Sequence, residues 1–150
     1  MLQFVPTAVT DPTADELLGE YFSMREHGMS SYRTFRPDAA LFTPPAGVFL
    51  VAFLDEAPVG CGGVRMLTPI RGEIKHLWMR PAARGSGAGR ALLTELEGRA
   101  ADLGATEIVL DTNERLAAAQ SLYRSSGYAD VEPYNDNPNA THWFRKELPR

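Results

Sequence analysis

Residues 84–90 read RGSGAGR, with Gly85, Gly87 and Gly89 at alternate positions between a strand-like run and a helix-like one. A strand, a glycine turn and a helix start together make a site for an anion. The first N–H groups of a helix have no carbonyl partner, and the helix dipole favours negative charge beside them. Glycine lacks a Cβ, so a bulky phosphate can reach the main chain. Arg84 and Arg90 flank the run with charge of the right sign. Two phosphate motifs fail here. The P-loop needs Lys and then Ser or Thr after its last glycine, and no glycine of this chain is followed in that way. The dinucleotide fingerprint GxGxxG fits at Gly85 and Gly87 but puts its last glycine on Arg90. The plainer reading is a turn that permits tight strand-to-helix packing, and it uses fewer glycines than are present.

Other reactive side chains are sparse. The single cysteine, Cys61 in GCGGV, reads as a small strand residue with no basic neighbour in sequence to lower its pKa. His27, His76 and His142 lack metal-ligand spacing, so no metal is expected.

The stretch EIKHLWMRPAARGSGAGRALL resembles the signature of the GNAT N-acetyltransferases. Their acyl-CoA motif runs Arg or Gln, two residues, Gly, one residue, then Gly or Ala, matched by Arg84, Gly87 and Gly89. Downstream, LDTNERLAAAQSLYRSSGY is similar to the family's second motif, an Asn-containing turn and a helix ending in Leu-Tyr and Gly-aromatic. The two motifs span Glu73 to Tyr128; the first 45 residues match only in broad pattern.

The resemblance implies an enzyme that moves an acetyl group from acetyl-CoA to a primary amine of a small molecule or peptide. It implies that the main chain of Arg84, Gly85, Ser86, Gly87, Ala88, Gly89 and Arg90 holds the pyrophosphate of coenzyme A. The pantetheine arm would pair with Leu77, Trp78 and Met79 as an added strand, with the Met79 amide facing the thioester carbonyl. Asn113 would hydrogen-bond the same arm, although an N-cap explains it equally well. A lysine-like amine is only about one part in a thousand neutral at pH 7, so a general base is needed. Glu73 stands where many relatives carry a catalytic glutamate; an exposed strand-end charge is the bland alternative, and His76 is a second candidate. Tyr123 occupies the position of the family's general acid, and it also shares a helical face with Leu116, Ala119 and Gln120 that suits the core. Acceptor contacts are expected from the least motif-like regions, at Tyr32, Arg33, Tyr134 and Trp143. The competing reading is a non-catalytic acyl-CoA-binding module, and family members are often dimers, so a homodimer is allowed.

These residues need a scaffold. The sequence predicts an α+β protein of the GNAT type, one domain over 1–150, with a mixed central sheet flanked by helices in the order β-α-β-β-β-α-β-α-β-β. Asp11-Pro12-Thr13 offers capping before ADELLGEYFSMREHG, whose Leu17, Leu18, Tyr21, Phe22 and Met24 fall at helical spacing. VFLVAFLDEAPVGCGGVRML reads as two strands about a turn at Asp55 to Pro58, and GEIKHLWMRP as a third that ends before Pro81. Ser86 to Gly104 reads as a helix, TEIVLDT as a buried strand, and Asn113 to Gly127 as a helix capped by Asn113. Tyr128–Glu132 and Thr141–Leu148 complete the strands.

Composition supports this class. With 44% hydrophobic and 23% charged residues over 150 positions, the chain can bury one core. A net charge of −4 argues against a general nucleic-acid binder, which needs surplus Lys and Arg. One cysteine, no basic leader and no long apolar run point to a cytoplasmic protein with no membrane partner.

Overall fold

A computed structural model describes residues 1–149. The elements are β1 (Leu2–Pro6), α1 (Pro12–Gly28), β2 (Gly47–Leu54), β3 (Ala57–Thr68), β4 (Arg71–Met79), α2 (Ala88–Asp102), β5 (Glu107–Thr112), α3 (Ala117–Ser125), β6 (Ala129–Asp130) and β7 (His142–Glu147). They form one seven-stranded sheet in the order β1-β2-β3-β4-β5-β7-β6. The expected element order and mixed sheet are both found.

The first four strands form an antiparallel meander. Its β2–β3 turn places Asp55 and Glu56 at φ 49° and 72°, the doubly left-handed turn that matches strand twist. β4 and β5 pair in parallel, and β7 returns antiparallel beside β5. Two apolar layers follow from strand alternation. Ile74, Ile108, Leu110 and Phe144 face Leu92, Leu93, Leu96 and Ala100 of α2 and Tyr123 of α3. Phe49, Val51, Cys61 and Trp78 face Leu17, Leu18 and Phe22 of α1 on the other side.

α1 begins as its letters suggest. The Asp11 carboxylate accepts from the amides of Thr13 (2.9 Å) and Ala14 (3.4 Å), with Pro12 in the first turn. Arg80, just past β4, pins this helix to the sheet: it donates to both oxygens of Glu20 (3.0 and 2.8 Å) and to Glu16. The Trp78 indole N–H also donates to Glu20 (3.2 Å).

The second half departs from expectation at one helix start. α3 opens at Ala117 and not beside Asn113. The Asn113 side chain accepts from the Arg115 amide (3.0 Å) and its carbonyl from the Leu116 amide (2.9 Å), which makes a turn ahead of the helix. Gly104 (φ 108°) and Gly127 (φ 94°) end α2 and α3 as read.

Candidate functional site

The site begins where two strands part. β4 and β5 are paired only through Arg71, Gly72 and Glu73, opposite Glu107, Ile108 and Val109. Beyond that point β4 carries a bulge. Cys61 pairs with Trp78 but Gly63 with Lys75, so Gly62 alone opposes His76 and Leu77. His76 sits at φ 60°, the left-handed conformation that lets one strand residue bulge out. The last part of β4 therefore turns away from β5. The Arg80 amide donates to Val59 of β3 (2.7 Å). Because N–H groups alternate along a strand, those of Met79 and Leu77 point the other way, into the gap.

A cavity of ≈ 1000 Å³ occupies the gap and runs between α1, the segment after it, β4 and α3. The glycine loop closes one end. Gly85 (φ 80°) and Gly87 (φ 83°) are both left-handed, and Gly87 directly precedes α2. Among the described residues, no acceptor takes the N–H of either glycine. The Ala88 amide is held by Ser86 Oγ (3.3 Å). Gly89 differs, since its φ is ordinary and a Cβ there would meet Met79 and Leu122 at 3.6 and 3.9 Å. The loop thus needs glycine at 85 and 87 for its own shape, while position 89 lies against the gap.

The two arginines behave differently. Arg84 lies 5.2 Å above the Trp78 ring and lines the cavity. Arg90, also in the wall, extends to α3, donating to Ser125 Oγ (2.7 Å) and Ser126 Oγ (2.9 Å), so its side chain ties two helix ends together.

Tyr123 is buried between Tyr128 and Phe144, yet it lines the cavity. Among the described residues its hydroxyl has no hydrogen-bond partner. Burial pushes its phenol well above the usual value, so the group stays protonated. Both readings of its sequence position, core ring and polar tip at the gap, are realised together.

Glu73 is placed otherwise than a base facing the cavity would be. It is 1% exposed, Oε1 accepts from Arg65 Nε (2.8 Å), and Oε2 accepts from the Tyr134 hydroxyl (2.6 Å). It is absent from the cavity wall, and so are Tyr134 and Trp143, whose indole N–H is held by Asn135 (2.9 Å). Two carboxylates line the cavity, Asp38 and Asp111. Asp38 is exposed and accepts from the Ala40 amide (3.0 Å), whereas one oxygen of Asp111 accepts from Asn135 Nδ2 (2.7 Å) and the other lies 3.8 Å from Lys75 Nζ. Asp111 was not singled out from sequence; its signal was a charge inside the buried strand run IVLDT.

His76 lines the cavity, but its ring packs among Tyr21, Phe22 and Phe42. Burial lowers its pKa to about 3, which makes it a neutral packing group and a weak base. Asn113 is also redirected: Nδ2 donates to the Asn139 carbonyl (3.0 Å), which engages the amide inside the protein and away from the gap. Of the expected acceptor contacts, Tyr32 lines the cavity, whereas Arg33 holds Asn139 through its main chain. The described residues contain no cluster of metal-ligating groups, and no helix is long and apolar enough to cross a membrane.

Residues 12–128 match the model of the acetyltransferase (GNAT) family. The chain belongs to the GNAT acetyltransferases. It is an N-acetyltransferase by family. It is 32% identical over 122 residues to an IAA acetyltransferase of Azospirillum brasilense, covering 80% of this chain and 74% of that one. The fold is shared with a candidate acyl-CoA N-acyltransferase of Klebsiella pneumoniae at TM-score 0.82 and 25% identity, over 99% of this chain and 98% of the other. It is shared too with an N-acetyltransferase of Thermoplasma acidophilum, solved in complex with coenzyme A, at TM-score 0.78 and 17% identity over 99% of both chains.

Proposed function

We propose that the GNAT cavity joins acetyl-CoA to a primary amine and transfers the acetyl group in one direct step. The observation that carries this reading is the parting of β4 from β5, which exposes the Met79 amide, the Tyr123 hydroxyl and the free amides of the glycine loop to one cavity.

The N–H groups of Gly85, Gly87 and the first turn of α2 hold the pyrophosphate, with Arg84 beside it. The exposed edge of β4 takes the pantetheine arm as a strand would be taken. The amine nitrogen attacks the thioester carbon, the Met79 N–H donates to the oxygen as charge gathers there, and the carbon–sulfur bond breaks. Tyr123 donates its proton to the departing thiolate, and its raised pKa is what keeps that proton available near neutral pH. The proton of the amine passes to Asp111, the less exposed of the two carboxylates in the cavity wall. Glu73 works from behind, positioning Arg65 and Tyr134.

Thiol release from acetyl-CoA, followed across a panel of amines, tests the reading. Tyr123→Phe should lower kcat by about 10²-fold with little change in the KM for acetyl-CoA. Asp111→Asn should lower kcat by about 10²-fold with little change in the KM for acetyl-CoA, whereas Glu73→Gln should lower it less. Binding of acetyl-CoA with no thiol release for any acceptor would favour the non-catalytic module and refute the transferase.

A further inference from the structure

Two charged side chains are buried among the described residues, Glu73 at 1% and Arg25 at 8% exposure. Glu73 has its cation in Arg65. Arg25 has no anion: its contacts are neutral, with Nη1 donating to the Tyr21 hydroxyl (2.9 Å) and Nη2 to the Asn139 carbonyl (3.3 Å). Its plane also lies 4.6 Å from the Tyr32 ring centre. These contacts fix the guanidinium in place and leave Nε–H and one N–H on each terminal nitrogen unengaged.

A buried cation without a counter-charge is costly unless something supplies one. The C-terminal end of α1 offsets part of that charge. The rest faces the cavity, whose wall includes Arg25. Other cations of the wall are already committed or open to solvent. Arg65 is paired with Glu73, Lys75 lies beside Asp111 and Arg36 is paired with Asp15, while Arg84, Arg90 and Arg115 are exposed.

We propose that Arg25 binds a carboxylate of the acceptor, so that the amine acetylated by this enzyme is a small amino carboxylate with an aromatic or apolar side group. The inference rests on the transferase reading for the amine, and on Arg25 alone for the acid. A planar guanidinium fixed by two hydrogen bonds matches a carboxylate in geometry as well as charge. Position fits as well. Arg25, Asp111 and Tyr123 all line the same cavity, so the acid site, the proton acceptor and the reacting end share one space. Around them the wall is aromatic, with Tyr21, Tyr32, Phe35 and Phe42, which suits an apolar side group.

The test compares L-phenylalanine with phenethylamine, and L-methionine with its decarboxylated amine, as acceptors for acetyl-CoA. The wild type should prefer the acid of each pair, and Arg25→Met should reduce that preference in kcat/KM at least tenfold while the KM for acetyl-CoA stays unchanged. 3-Phenylpropionate, which carries the acid and no amine, should bind the wild type in calorimetry and lose that binding in Arg25→Met. Arg25→Lys keeps the charge without the planar fork and should fall between the two. It carries the test alone if Arg25→Met fails to melt cooperatively. No preference for either acid, or a preference that survives both substitutions, overturns the proposal. Transfer to plain amines with no role for the acid would sink this inference and spare the transferase. Carboxylate binding through Arg25 without any transfer would do the reverse.

Discussion

His76 shows how one residue can shape a site without entering its chemistry. Its left-handed φ forms the bulge that turns β4 from β5, and its ring is sealed by three aromatics. Burial sets its folded pKa at about 3, against about 6.5 in an unfolded chain. Between those values the unfolded state binds the extra proton, so stability falls as pH drops through that window and is unaffected above it. His76→Asn, which tolerates the same φ, should lose less stability than wild type between pH 7 and pH 4.5 in urea titrations. Cys61 is fully buried and its thiol is pushed up by burial. It should resist an aromatic disulfide reagent in the native protein and react on unfolding. At this scale the sequence was uneven. Tyr123 was found because a motif pointed to it. Arg25 was missed, although it continues the buried stripe Leu17, Leu18, Phe22 at helical spacing, because a charge at such a position reads as exposed. Glu73 was found as a residue but not as a buried one, since its closure depends on Tyr134, 61 residues away.

The elements were largely legible because their signals are local. Capping by Asp11, the turn at Asp55 and Glu56, and the stops at Gly104 and Gly127 each depend on a few neighbouring residues. Asp11→Ala should cost about 1 kcal/mol of stability in chemical denaturation, with acetyl-CoA binding unchanged. The start of α3 was misread because Asn113 caps a turn held by Asn139, a partner that no local window contains. The glycine loop allows a sharper contrast. Gly87→Ala must adopt φ 83° with a side chain, so it should lose about 1 kcal/mol of stability as well as affinity for coenzyme A. Gly89→Ala lies in a helix at ordinary φ and should leave the melting temperature level or raised. Its methyl group would stand beside Met79 and Leu122 at the gap, and coenzyme A should bind more weakly. Calorimetry and thermal melts of the two variants separate the loop's own shape from its fit to a ligand.

At the scale of the molecule, the class followed from pattern and the parting of the sheet did not. Leu77, Trp78 and Met79 in a row were compatible with a bulge, but only the register between β3 and β4 displays it. A ligand that adds a strand to the open edge binds only the folded state. Coenzyme A at about 100 times its Kd should therefore add roughly 2.7 kcal/mol of stability, read as a higher melting temperature, whereas ATP should add none.

That open edge also bears on how the enzyme would respond to its surroundings. The glycine loop, Arg84 and the exposed edge of β4 lie where they would grip the nucleotide and the arm, which free coenzyme A and its acetyl ester have in common. Binding strength held in such contacts is the same before and after transfer and does not distinguish reactant from product. Free coenzyme A should accordingly compete with acetyl-CoA at comparable concentration in initial-rate measurements. Turnover would then follow the ratio of the two in the cell, and the protein would sense acetyl supply relative to demand.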